Sequence, residues 1–220
     1  AVDEPKRALY ASKSKIGAVE APAVAPPPST EVAEENEAVA AIVLPEPEEL
    51  PPSALVAPTR VLVMGASSMQ YELGRAIERQ YRELEGVEVE RFGKHSTGLA
   101  RPDYFDWSAK AIELADGFEP DLVIAQYGGN DGQGVTDSTG KALARFGTDE
   151  WERIYGERVT ELVKSLQTRG AEVVILGMPI MQKTKFRKKI TRINEVTKAA
   201  VEATGATFVD TVSMTADNKG

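Results

Sequence analysis

Residues 59–220 read as a three-layer α/β/α domain built on one parallel sheet of five strands. Three observations predict this. Strands are expected near residues 60, 88, 122, 172 and 207, and amphipathic helical patterns fall between them. Three of the five runs, RVLVMG, DLVIAQYG and AEVVILGMP, are apolar almost throughout, as strands covered on both faces are. The first run ends in a glycine, glycines cluster just past the third, and Gly177 follows the fourth.

The elements follow in order. RVLVMG (60–65) suits a buried strand, and MQYELGRAIERQYREL then places apolar residues at helical spacing. VEVERFG (87–93) alternates apolar and polar residues, the pattern of a strand. FDWSAKAIELADGF reads as a helix and DLVIAQYG (121–128) as the second fully apolar strand. DEWERIYGERVTELVKSLQTRG is a strongly amphipathic helix closed by Gly170. AEVVILGMP gives another buried strand, FRKKITRINEVTKAAVEATG another helix and ATFVD a last short strand.

The 58 residues ahead of this domain have a different texture. They hold ten of the chain's thirteen prolines but a single glycine, Gly17, and a single aromatic, Tyr10. Such an Ala/Pro/Glu-rich stretch cannot bury enough apolar surface to offset its ordering entropy, so residues 1–58 are expected to be a semi-stiff disordered linker. The linker holds ten acids and four bases of a chain whose formal net charge is −8, which leaves 24 acids and 22 bases in the other 162 residues. A nearly neutral domain is not a nucleic-acid binder. The chain has no cysteine, which excludes a disulfide scaffold and a thiol nucleophile. No His/Cys/Asp/Glu spacing suggests a metal, and no cofactor is expected. No apolar run approaches the roughly 20 residues that span a bilayer. The chain starts with Ala and shows no signal peptide, so a preceding segment is expected, and the linker suggests either a tether to a membrane anchor or an unstructured cytosolic leader.

In parallel sheets the chemistry lies beyond the carboxyl ends of the strands. Those ends here are GASSM, KHSTGLARPD, GGNDGQG and GMPIMQKTK. In GASSM, Ser67 stands where a strand turns into a helix, at a terminus that favours developing negative charge. Serine is also a common helix cap, and Ser67 or Ser68 could serve as one. In GGND, Asn130 offers a neutral amide donor, as an oxyanion hole requires, although an ordinary Asn-Asp turn has the same sequence. In HSTGLA, Gly98 offers a backbone N–H on the same rim. KTKFRKKITR (183–192) has six basic residues that either draw an anionic polysaccharide or lipid headgroup toward the rim or form a solvated helix face. Trp107 and Trp151 are candidates for a sugar platform or for buried packing at helix starts.

Taken together, Gly-x-Ser after strand one, Ser-x-Gly after strand two and Gly-x-Asn-Asp after strand three resemble the SGNH (GDSL-type) hydrolase superfamily. STGLARPDYFDW (96–107), with GMP after strand four and FVD at strand five, resembles a bacterial branch of it that is often membrane-tethered outside the cytoplasm. The resemblance covers about residues 60–220. It implies a flavodoxin-like sheet, a periplasmic or extracytoplasmic location, and a serine esterase or O-acyltransferase acting on ester groups, O-acetyl above all, of a carbohydrate or cell-envelope substrate. Ser67 would be the nucleophile, and its own N–H, that of Gly98 and the Asn130 carboxamide would hold the oxyanion.

Two positions depart from the family pattern. Ala66 stands where relatives carry Asp before the nucleophile. The expected Asp-x-x-His block is absent: Asp210 is followed three residues on by Ser213, and the single histidine, His95, lies in the second rim segment. Three explanations stand: a chain that continues past Gly220, an inactive relative that binds carbohydrate, or His95 as a relocated base. For the 220 residues alone, little or no turnover is expected.

Overall fold

The computed structural model describes residues 59–215. The 1–58 linker expected from composition lies outside them. The chain runs through β1 (Thr59–Gly65), α1 (Ser67–Gln70), α2 (Glu72–Arg82), β2 (Val87–Gly93), α3 (Trp107–Phe118), β3 (Leu122–Gln126), β4 (Val135–Thr136) and β5 (Ala142–Ala144). It continues through α4 (Asp149–Gln167), β6 (Glu172–Leu176), α5 (Thr184–Glu202), β7 (Thr207–Val209) and α6 (Val212–Thr215).

Five of these strands form one parallel sheet in the order β2-β1-β3-β6-β7, the flavodoxin-like order. The three-layer α/β/α expectation holds. Alternation along the strands divides the core into two layers. Leu62, Met64, Val123, Ala125, Val173 and Ile175 face α3, α4 and α5. Val61, Val63 and Ile124 face the other way, onto Met69 of α1 and Leu73, Ile77 and Tyr81 of α2. β2 is an edge strand, which explains why its sequence alternates where β1 and β3 are apolar throughout.

Three local features differ from the sequence expectation. The single helix read over MQYELGRAIERQYREL is two helices that meet at Tyr71, whose φ −106° and ψ −121° are not helical. Gly74 permits the fold-back, since a Cβ there would lie 1.9 Å from the Met69 carbonyl oxygen. The loop after β3 holds a small antiparallel hairpin, β4–β5, too short to leave a periodic signal. The third strand also stops at Gln126, two residues early, and so frees Tyr127 and Gly128 to begin the rim segment.

Two helices, α3 and α4, start at a side-chain cap. Asp106 accepts the Ala109 N–H at 2.9 Å at the start of α3, and Thr148 accepts the Trp151 N–H at 3.3 Å at the start of α4. Both tryptophans are buried, Trp107 at 2% and Trp151 at 0% exposure, which removes them as sugar platforms. Trp151 stacks on Tyr155 at 4.7 Å and donates its indole N–H to the Gln133 carbonyl at 2.8 Å, so it pins α4 beneath the third rim segment. Replacing Trp151 with Ala is expected to destabilise the domain by about 3–5 kcal/mol, and Trp151→Phe by less, as urea denaturation will measure.

Candidate functional site

Strand register brings the rim segments together. Gly65, the last residue of β1, pairs with Gly93 of β2 on one side and Gln126 of β3 on the other. Neighbouring strands lie about 4.8 Å apart, so the three loops that leave this row start side by side with the serine-bearing loop in the middle. Gly65 has φ +145° and lies so near β3 that a Cβ would meet the Gln126 carbonyl oxygen at 2.2 Å. The strand-to-helix turn therefore needs glycine there.

Ser67 is the first residue of α1 and is half-buried. The capping position belongs to Ala66, which has no side chain to accept a bond, so capping does not account for Ser67. The Ser67 hydroxyl has no hydrogen-bond partner among the described residues. It opens onto a shallow pocket shared with Ser68, Tyr71, Glu72, Leu73 and Arg75.

Gly98 and Asn130 line a different hollow of about 220 Å³, together with Ser96, Arg101, Tyr104 and Gln133. The structure thus joins two of the three expected residues in one cavity and gives Ser67 a pocket of its own on the same rim. The Asn130 side-chain amide donates one N–H to the Thr97 carbonyl at 2.8 Å and keeps a second. The Gly98 N–H donates to no group among the described residues. Ser96, with φ 60°, turns the chain sharply just before these donors.

The group that fixes this geometry is Asp131, which sequence reasoning treated only as half of an Asn-Asp pair. It is 0% exposed. Its Oδ1 accepts the Ala100 N–H at 2.8 Å and its Oδ2 accepts the Tyr155 hydroxyl at 3.0 Å. A Cβ on Gly98 would lie 2.1 Å from Oδ1, so glycine at 98 is the condition for the carboxylate to sit there. Burial raises the Asp131 carboxyl above its ordinary value, against the opposing pull of those donors. Arg158 approaches from α4 and donates to the carbonyls of Leu99 at 2.9 Å, Ala100 at 3.0 Å and Thr136. Burial lowers the Arg158 pKa, and nearby Asp131 is first among the charges that oppose the shift. Thr97 is held on both sides: its hydroxyl donates to the Lys94 carbonyl at 2.6 Å and accepts the Trp107 indole N–H at 3.0 Å.

His95 is exposed and turns toward Gln70, whose Oε1 accepts its backbone N–H at 2.6 Å and lies 3.2 Å from its Nδ1. The ring is thus oriented by an amide rather than a carboxylate. Among the described residues no group of three His, Cys, Asp or Glu side chains could hold a metal ion. No helix of the described residues is long and apolar enough to cross a membrane.

Residues 60–220 match a family described as a protein of unknown function, DUF459. The chain belongs to DUF459. This is an SGNH-hydrolase-like family, and the superfamily inferred from the three rim segments is the right one. Solved structures with the same fold include LAE5, an alpha/beta hydrolase enzyme from the metagenome of Lake Arreo, Spain, at 14% identity and a TM-score of 0.52. A catalytic mutant of Axe2, an acetylxylan esterase from Geobacillus stearothermophilus, is similar at 17% identity and 0.52. Each alignment covers 71% of this DUF459 chain and 78% of the other. No curated protein matches the chain.

Two measurements probe the site's frame. Gly98→Ala forces a methyl group onto the Asp131 carboxylate and is expected to disrupt the hollow, seen as lost protection of the Ala100 amide in hydrogen exchange. The raised Asp131 pKa favours the folded state most when the carboxyl is protonated, and that contribution is lost as pH rises through the folded value. The stability of the wild type relative to Asp131→Asn is therefore expected to be greatest below about pH 4 and to shrink toward neutral pH, as urea midpoints across that range will report.

Proposed function

We propose that this DUF459 domain cleaves or transfers ester-linked acyl groups through Ser67. Membership of an SGNH-hydrolase-like family supports ester chemistry in general. The observation that carries the reading further is the pairing of an uncommitted Gly98 N–H with the spare Asn130 N–H on one hollow, on the rim where the Ser67 hydroxyl emerges without a hydrogen-bond partner.

In this reading the Ser67 oxygen attacks the ester carbonyl carbon, and the carbonyl oxygen takes up the charge. The Gly98 and Asn130 donors, with the Ser67 N–H at the start of α1, stabilise that oxyanion, each worth about 2.7–4 kcal/mol of barrier. The alcohol then leaves, and water or a sugar hydroxyl takes the acyl group from serine. The proton that Ser67 gives up needs an acceptor. His95 is the sole histidine of the sequence, and its tie to Gln70 makes it a weaker candidate than a carboxylate-oriented base. The substrate we propose is an O-acylated carbohydrate of the cell envelope, met outside the cytoplasm by a tethered domain.

A second reading, a carbohydrate-binding module without turnover, is favoured by one observation: Ser67 opens onto a pocket separate from the one that holds Gly98 and Asn130. A fluorophosphonate probe separates the two. Covalent labelling at Ser67, absent in Ser67→Ala, is the expected result, and sugar binding by a protein that no probe labels would establish the module instead. In full-length protein that hydrolyses p-nitrophenyl acetate, Asn130→Ala is expected to lower kcat by about 10²–10³-fold.

A further inference from the structure

The hollow beside Asn130 has a cation whose orientation is fixed from behind. Arg101 donates from Nε to Asp103 Oδ1 at 2.8 Å and from Nη2 to Oδ2 at 2.6 Å. Asp103 is held in turn by the Thr136 hydroxyl at 2.5 Å. Asp103 stands outside the lining of the hollow, whereas Arg101 stands in it. A guanidinium with Nε and one Nη2 proton engaged still presents an end-on fork of Nη1 and Nη2 protons, the geometry that grips a second carboxylate. Nη1 has no hydrogen-bond partner among the described residues, and the side chain is 41% exposed.

Two neighbours complete the arrangement. Tyr104 is 60% exposed and lines the same hollow, so its ring offers a flat apolar face to a sugar. Asp131 adds little repulsion, because donors surround both its oxygens and burial favours its neutral form. The third rim loop is also tied to the basic helix α5, since the Lys189 ammonium donates to the Gly132 carbonyl at 2.5 Å. Near the start of that helix Lys183, Lys185 and Lys188 are exposed, with no ion pair among the described residues. The other bases of the run are committed: Arg187 donates to the Met181 carbonyl, and Arg192 pairs with Glu152 and Glu195.

We propose that this hollow is a subsite for a sugar bearing a carboxylate, gripped by the free fork of Arg101 and stacked on Tyr104. The inference rests on the acyl-transfer reading for the ester that the sugar carries, and on the hollow alone for what it binds. A neutral sugar would leave the Arg101 fork without a partner, and the acidic sugar fills it.

Calorimetric titration of the full chain with galacturonate and with galactose tests the subsite. Galacturonate is expected to bind at least about tenfold tighter at low salt, the effect of one charge-assisted fork. Arg101→Gln should abolish that preference, Arg101→Lys should keep part of it, and Tyr104→Ala should weaken both sugars alike. Circular dichroism confirms that each variant folds. Equal binding of the two sugars, binding of neither, or a preference that survives Arg101→Gln in folded protein would overturn the proposal. Fluorophosphonate labelling of Ser67 in the unaltered chain reads the acyl chemistry separately. Labelling without carboxylate preference refutes the subsite alone, and preference without labelling refutes the esterase reading alone.

Discussion

A carboxylate removed from water must be surrounded by donors or it destabilises the fold that holds it. Asp131 meets that condition by drawing donors from two separate stretches: the Ala100 amide after β2 and the Tyr155 hydroxyl on α4. The requirement acts as a clasp. The second and third rim segments cannot drift apart without leaving the carboxylate unsatisfied. Arg158 adds to the same hold through the carbonyls of Leu99 and Ala100. The relative placement of Gly98 and Asn130 follows from this clasp more than from either loop's own conformational preference.

The scaffold beneath was largely legible in the sequence, because strands buried on both faces announce themselves as uninterrupted apolar runs and the helices as amphipathic ones. VLVM in β1 and LVIA in β3 are such runs, and both proved central. What escaped was short or depended on tertiary contact. The break at Tyr71 has no proline to mark it and exists because Gly74 lets α2 pack onto the Met69 carbonyl. The β4–β5 hairpin is too brief to show a period of two.

The site was legible in part. The rim segments could be found because parallel sheets put chemistry at one edge, and the spacing of Ser67, Gly98 and Asn130 resembled a known set. The roles of Asp131 and Arg158 were not legible, since each acts through partners 22 to 59 residues away, and Asp103, although only two residues from Arg101, is held by Thr136, 33 residues on. A single sequence gives no sign that Asp131 is buried rather than a solvated turn residue. One clue was available: a glycine at 98 in a segment otherwise free to carry side chains suggests that something presses close.

That close approach has a consequence for how the protein can vary. With the Asp131 oxygens lying where a Gly98 methyl group would go, neither position can change by itself without a steric or solvation penalty. The two should substitute as a linked pair across descendants, or not at all. An engineer who grafts the third loop of a relative onto this chain would need to transplant the second along with it.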